Sequence, residues 1–182
     1  MINKSFILKY VVFQSICLLF LIGRFGLSFE CLLYGVTSAG LVILSLMDLE
    51  TYEIPFWINV CIFSIGVLHI CMDLPHWSTY LIGFFAVSLP LELILILTKG
   101  EGIGGGDVKL MATAGILLGW KLILVAFVIA CVLGSIFHII RMKCFHADRR
   151  LAMGPYLSAG IMISLLFGDL IIQWYVHSIL GI

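Results

Sequence analysis

The stretch Gly102–Trp120, GIGGGDVKLMATAGILLGW, decides how this chain is read. Three consecutive glycines, Gly104, Gly105 and Gly106, let the backbone take positive φ and let another chain approach closely. Asp107 follows them and opens directly onto an apolar run. A carboxylate at the mouth of a membrane segment is costly and usually functional. Glycines that admit a peptide backbone, followed by an acid able to act on it, suggest proteolysis at a membrane surface. That chemistry requires a second acid on the same side.

Composition sets the class. The 182 residues are 63% hydrophobic and 11% charged, with a mean hydropathy of +1.22. Ten basic and ten acidic residues cannot clothe a water-soluble core, so the composition implies a polytopic all-α membrane bundle, one domain over 1–182. Zero net charge leaves no nucleic-acid footprint. The six cysteines, at 17, 31, 61, 71, 131 and 144, form no CxxC pair. With no HExxH and no His/Cys/Asp cluster at ligand spacing, no metal or cofactor is expected. The amino-terminal run after Lys4 and Lys9 is followed by Gly23-Arg24-Phe25-Gly26 rather than a cleavage pattern, and reads as a retained span.

Apolar runs fall at 6–22, 31–47, 56–72, 78–98, 108–120, 122–140 and 156–176. The run 108–120 is short for a ~30 Å hydrocarbon layer, so it is either a short crossing or a re-entrant half-helix. Charge decides between them. With seven crossings, Lys4, Lys9, Lys99, Lys109, Arg141, Lys143, Arg149 and Arg150 share one face, and only Arg24 and Lys121 lie on the other. A re-entrant run would split the basic residues evenly. Seven transmembrane segments, one of them short, with a cytoplasmic amino terminus are therefore expected. The connectors 48–55, 99–107 and 141–155 then face the cytoplasm together.

The second acid is in the first of these, Met47-Asp48-Leu49-Glu50-Thr51-Tyr52-Glu53-Ile54-Pro55. Asp48 ends the second span, and Pro55 restarts the chain into the third, where its missing N–H costs nothing. The third connector ends in Met153-Gly154-Pro155-Tyr156.

Asp48 with Ile-Pro closing its loop, Gly104-Gly105-Gly106-Asp107-Val-Lys-Leu, and Gly154-Pro155-Tyr156-Leu157 together resemble the type IV prepilin peptidases. These are GxGD membrane aspartyl proteases, related to preflagellin peptidases and more distantly to presenilin-like proteases. The resemblance covers about residues 30–165. It implies that Asp48 and Asp107 are the catalytic pair, that Gly104, Gly105 and Gly106 shape the approach to Asp107, and that Gly154 and Pro155 brace the site. It also implies a location in the inner (cytoplasmic) membrane, with the active site facing the cytoplasm. The substrates would be prepilin-like proteins carrying a short basic leader before a hydrophobic helix. Glu50, Glu53, Glu101 and Asp148 are available as an acidic rim for that leader. Two departures stand out: Phe56 follows the loop proline where family members often have a polar residue, and the cysteine-rich segment of bifunctional members is absent.

Helix ends suggest a division of labour. Asp107 precedes a helix, where the dipole favours charge, and Asp48 follows one, where it does not. Asp107 is then expected to start as the base and Asp48 as the protonated partner. Glu92 in the fourth span is an intramembrane acid, either a site member or a packing group. His69, His138 and Asp169 read as packing or interfacial groups. Paired membrane acids beside a glycine-started helix also describe a cation- or proton-coupled transporter, but both aspartates here sit at one face.

Overall fold

A computed structural model describes residues 4–145 and 151–180. Asp148 of the expected rim, with Arg149 and Arg150, lies outside the described residues. Seven α-helices and one short 3₁₀ turn make up these residues: α1 Lys4–Phe25, α2 Phe29–Thr51, α3 Phe56–Met72, the turn Leu74–His76, α4 Trp77–Ala86, α5 Ser88–Leu97, α6 Gly105–Phe145 and α7 Gly154–Leu180. Five stretches, Phe6–Phe25, Phe29–Thr51, Leu74–Leu97, Gly105–Lys143 and Gly154–Ile179, are long and apolar enough to cross a membrane, and Phe56–Met72 is a shorter apolar helix. The chain is a multi-pass membrane helical bundle.

All seven apolar runs are helical, with two differences of grouping. The run 78–98 is broken at Val87 into α4 and α5. Pro90 explains the break, because it cannot donate to the carbonyl four residues back and its ring crowds that position. Conversely, the fifth and sixth runs are joined as α6, in which Gly119 has φ 78° and ψ 169°. That conformation is open only to glycine, and there α6 folds back on itself.

Contacts along the helices show the reversal. Tyr34 meets His69, with the Tyr34 hydroxyl 3.0 Å from His69 Nε2, and Gly40 meets Ile58, so α2 and α3 are antiparallel. Gly106 lies on Ile54 and Gly66 on Ile116 and Leu117, so α3 and the first arm of α6 are parallel. On the return arm, Leu122 packs near Gly168, Ala126 and Ala130 on Gly160, and Tyr156 on Gly134, which makes it antiparallel to α7. The 105–118 arm therefore leads away from the Asp48 end, and 120–145 returns to it. This is the crossing reading of 108–120, since a re-entrant run would have put Gly154 at the opposite end. Fourteen residues rise about 21 Å, short of a full hydrocarbon layer.

Lipid offers no hydrophobic drive between helices, so close backbone approach through small residues holds the bundle. Gly83 of α4 and Gly115 of α6 meet backbone to backbone. The core runs from Leu21 through Leu41, Ile58, Leu91, Met111 and Ile123 to Ile161. At the end away from Asp48, Tyr80 donates to Asp73 Oδ2 at 2.7 Å, and His76 Nδ1 pairs with Asp73 Oδ1 at 2.8 Å. These two partners, Tyr80 first, hold the Asp73 carboxyl below the usual carboxylate range. They tie the turn between α3 and α4.

Candidate active site

Asp48 stands in the last turn of α2 and is only 5% exposed. Its own carbonyl accepts the N–H of Tyr52 at 2.9 Å. Tyr52 closes the helix in the left-handed conformation, φ 56° and ψ 28°, and so turns the 52–55 loop toward α6. The Asp48 side chain reaches across to α7, where Gly154 N–H donates to Oδ2 at 2.7 Å. This bond satisfies one of the donors that a helix start leaves free. It also explains the glycine. A Cβ at Gly154 would lie 2.8 Å from Asp48 Oδ2, 3.0 Å from Asp48 Cβ and 2.9 Å from Leu44 Cδ2. Pro155 follows in the first turn of α7, where a missing N–H is tolerated. The carbonyl of Met153 accepts from Tyr156 and Leu157 at 3.0 Å each.

Asp107 sits in the first turn of α6 and is half-buried. The Gly104 carbonyl accepts from Asp107 N–H at 3.1 Å and from Val108 N–H at 3.4 Å, which makes Gly104 the cap of the helix. The Asp107 carboxylate turns back over that cap, so a Cβ at Gly104 would be 3.2 Å from its Oδ2. A carboxylate at this position suits the positive end of the helix dipole. Gly106 is required by packing, because a Cβ there would lie 2.9 Å from Ile54 Cβ in the loop that follows Asp48. Gly105 is different. A Cβ there would meet only Leu95 Cδ2, at 3.9 Å, so its surroundings leave room for a larger residue. The three motifs converge at one end of the bundle: Gly154 bonds Asp48, and Gly106, next to Asp107, lies against Ile54 in the loop that follows Asp48.

In front of Asp107 is a cavity of about 710 Å³. Its wall includes Tyr52, Glu101, Gly104, His138 and Met153. Glu50 and Glu53 are exposed and do not line it. The rim expected from the sequence is thus reduced, among the described residues, to Glu101. His138, read from the sequence as a packing or interfacial group, lines the cavity instead, and no local pattern pointed to it because α6 brings it there by folding back at Gly119. Glu92 is exposed on α5 and outside the cavity. Lys109 does not turn toward Asp107; its Nζ lies 5.9 Å from the Phe56 ring centroid, a cation–π contact that accounts for an aromatic residue after the loop proline.

The model of the type IV leader peptidase family matches residues 35–139, which include both aspartates. The chain belongs to the type IV leader peptidase family. Relatives of this family named "Prepilin leader peptidase/N-methyltransferase" are similar to it. The one from Bacillus subtilis is 32% identical over 163 residues, 87% of this chain and 64% of the relative. The one from Aeromonas salmonicida is 39% identical over 87 residues, 47% of this chain and 30% of the relative. The one from Stutzerimonas stutzeri is 28% identical over 165 residues, 85% of this chain and 56% of the relative. The chain thus spans less than two thirds of the length of these relatives. No solved structure matches it.

Proposed function

We propose that this chain is an aspartyl endopeptidase of the cytoplasmic membrane that removes the short basic leader from prepilin-like precursors at the cytoplasmic face. The observation that carries the reading is the Gly154 N–H to Asp48 Oδ2 bond, which fixes a buried carboxylate at the same end of the bundle as the cavity-lining Asp107. Membership of a leader peptidase family supports it. Orientation follows from charge: Lys9, Lys99, Lys109, Arg141 and Lys143 belong to the Asp48 end, Arg24 and Lys121 to the other, and positive ends face the cytoplasm.

The chemistry is that of two carboxylates holding one proton. The unprotonated member takes a proton from water as the water oxygen attacks the scissile carbonyl carbon, and the protonated member gives its proton to the carbonyl oxygen. The tetrahedral gem-diol then collapses: the member that took the water proton gives it to the amine nitrogen as the C–N bond breaks, the other takes a proton from a gem-diol hydroxyl as the new carboxyl forms, and the pair again holds one proton. Helix ends alone would give the resting proton to Asp48. The structure adds a backbone donor that stabilises negative charge on Asp48 Oδ2 and opposes that preference, so the proton belongs to the dyad rather than to one member. Proteoliposomes test the function. Cleavage of a prepilin-like peptide without ion flux is expected, and proton or cation flux without cleavage would replace the peptidase with a transporter.

A further inference from the structure

A second opening lies behind Asp48, away from the cavity in front of Asp107. Helices α1 and α7 both pack along α2, and toward their outer ends Arg24 Nε of α1 donates to the Leu166 carbonyl of α7 at 3.3 Å. Toward the Asp48 end a groove of about 270 Å³ runs between them, floored by Leu41, Leu46 and Leu49 of α2 and walled by Phe13 of α1 and Pro155 of α7. Phe13 and Leu49 are each 55% exposed, so this is a surface groove that lipid reaches. Two hydroxyls, Ser45 and Ser158, also line it. Ser45 Oγ donates to the Leu41 carbonyl of its own helix at 2.7 Å. Ser158 is only 5% exposed, and its Oγ is buried with no partner, a costly state at membrane depth. Charge marks the mouth. Lys9 is exposed one helical turn before Phe13 on the same face of α1, and its side chain leans toward the helix start. Glu50, also exposed, stands one turn after Leu46 on α2.

We propose that this groove binds one molecule of phosphatidylethanolamine. An acyl chain lies along Leu41, Leu46 and Leu49, an ester carbonyl accepts from Ser158 Oγ, the phosphate meets Lys9 and the ammonium meets Glu50. Four residues separate Ser158 from the start of α7 at Gly154, about 6 Å at ~1.5 Å per residue. That is about the thickness of one headgroup layer, the depth at which a glycerol ester joins its acyl chain. A bare anion would meet Glu50 as well as Lys9, so a headgroup carrying both charges is the better complement. Leu46 and Leu49 stand on either side of Asp48 in α2, and Pro155 follows Gly154. The seated chain therefore backs the contact in which Gly154 N–H donates to Asp48 Oδ2.

The full chain in mixed micelles with equimolar phosphatidylethanolamine and phosphatidylglycerol, read by native mass spectrometry and by its unfolding midpoint, tests this. One phosphatidylethanolamine should stay bound in preference to phosphatidylglycerol, and added phosphatidylethanolamine should raise the midpoint, as any ligand of the folded state does. Ala159 also lines the groove, and Ala159→Phe, which fills it, should abolish both effects. Ser158→Ala removes only the unpartnered hydroxyl, so folding is not at risk, and it should cut retention about fivefold, the worth of one neutral hydrogen bond. Equal binding of the two lipids, unchanged retention in Ser158→Ala, or no lipid retained by the parent overturns the proposal. Release of the lipid by a prepilin-like peptide overturns it too, because the groove would then belong to the substrate. No readout here involves cleavage, so failure of the lipid site and failure of the peptidase reading are distinguishable.

Discussion

Replacing Gly154 by alanine tests whether the contact between α2 and α7 positions the proposed pair, Asp48 and Asp107. The new Cβ would press on three atoms of α2, at 2.8 Å from Asp48 Oδ2, 2.9 Å from Leu44 Cδ2 and 3.0 Å from Asp48 Cβ. Two of the three belong to Asp48 itself, and the third to a leucine with no exposed surface. Neither is a flexible chain end in open space, so the helices must separate by several tenths of an ångström. Overpacking of this kind destabilises by about 1–3 kcal/mol. The same movement stretches the 2.7 Å bond from Gly154 N–H, and a hydrogen bond to a charged group contributes about 1.5–3 kcal/mol. A misplacement of ~1 Å can cost roughly 10²-fold in rate, which sets the upper end for a shift of several tenths of an ångström combined with a weakened bond. Gly154→Ala is therefore expected to insert and fold with a lowered unfolding midpoint in detergent and to cleave a prepilin-like peptide up to about a hundredfold more slowly. Gly105→Ala is the control: its Cβ would meet only Leu95, at 3.9 Å, and alanine in a helix costs about 1 kcal/mol less than glycine. Near-normal cleavage by Gly154→Ala, or equal damage from Gly105→Ala, would refute the reasoning.

Gly119→Ala forces a side chain into φ 78° with its Cβ 2.8 Å from Thr79 Cγ2. It should lower the unfolding midpoint by an amount matching about 1–3 kcal/mol of backbone strain, with KM unchanged because the turn is at the far end. Glu92→Gln should keep most activity, read as kcat/KM within about threefold of the parent, the range of a surface substitution; a loss as deep as that of the aspartate variants would bring Glu92 into the site. Cysteines substituted at 121 or 76 should label from outside the cell and one at 51 should not; the reverse pattern would invert the bundle. EDTA should leave cleavage unchanged, and a loss restored by zinc or magnesium would require a metal.

What was legible in the sequence was whatever is local. Each apolar run announced helix, though 78–98 holds two, and the basic residues sorted the connectors into two ends. Asp48, Asp107 and Gly154 could be placed together because each sits beside a helix terminus marked by glycine or proline. The break at Val87 was marked by Pro90, a signal that a hydropathy run conceals. What the sequence did not show was assembled at a distance. Leu91, Phe127 and His138 reach one cavity only because α6 folds back at Gly119. Glu50 and Glu53 carry the right charge, but the left-handed turn at Tyr52 leaves them outside the cavity wall while Tyr52 itself enters it. Glu101, four residues from the helix that carries Asp107, lines it together with Asp107.

The central claim is that Asp48 and Asp107 act as one machine. Cleavage rates of the parent, Asp48→Asn, Asp107→Asn and the double variant, measured on one prepilin-like substrate in proteoliposomes by the mass of its product, test this most directly. Residues that act as a unit are strongly non-additive, and loss of proton transfer alone removes about 10²–10⁴-fold. The account predicts that each single variant is inserted, folded and as inactive as the double. A single variant with near-normal turnover, or losses that multiply in the double, would contradict it.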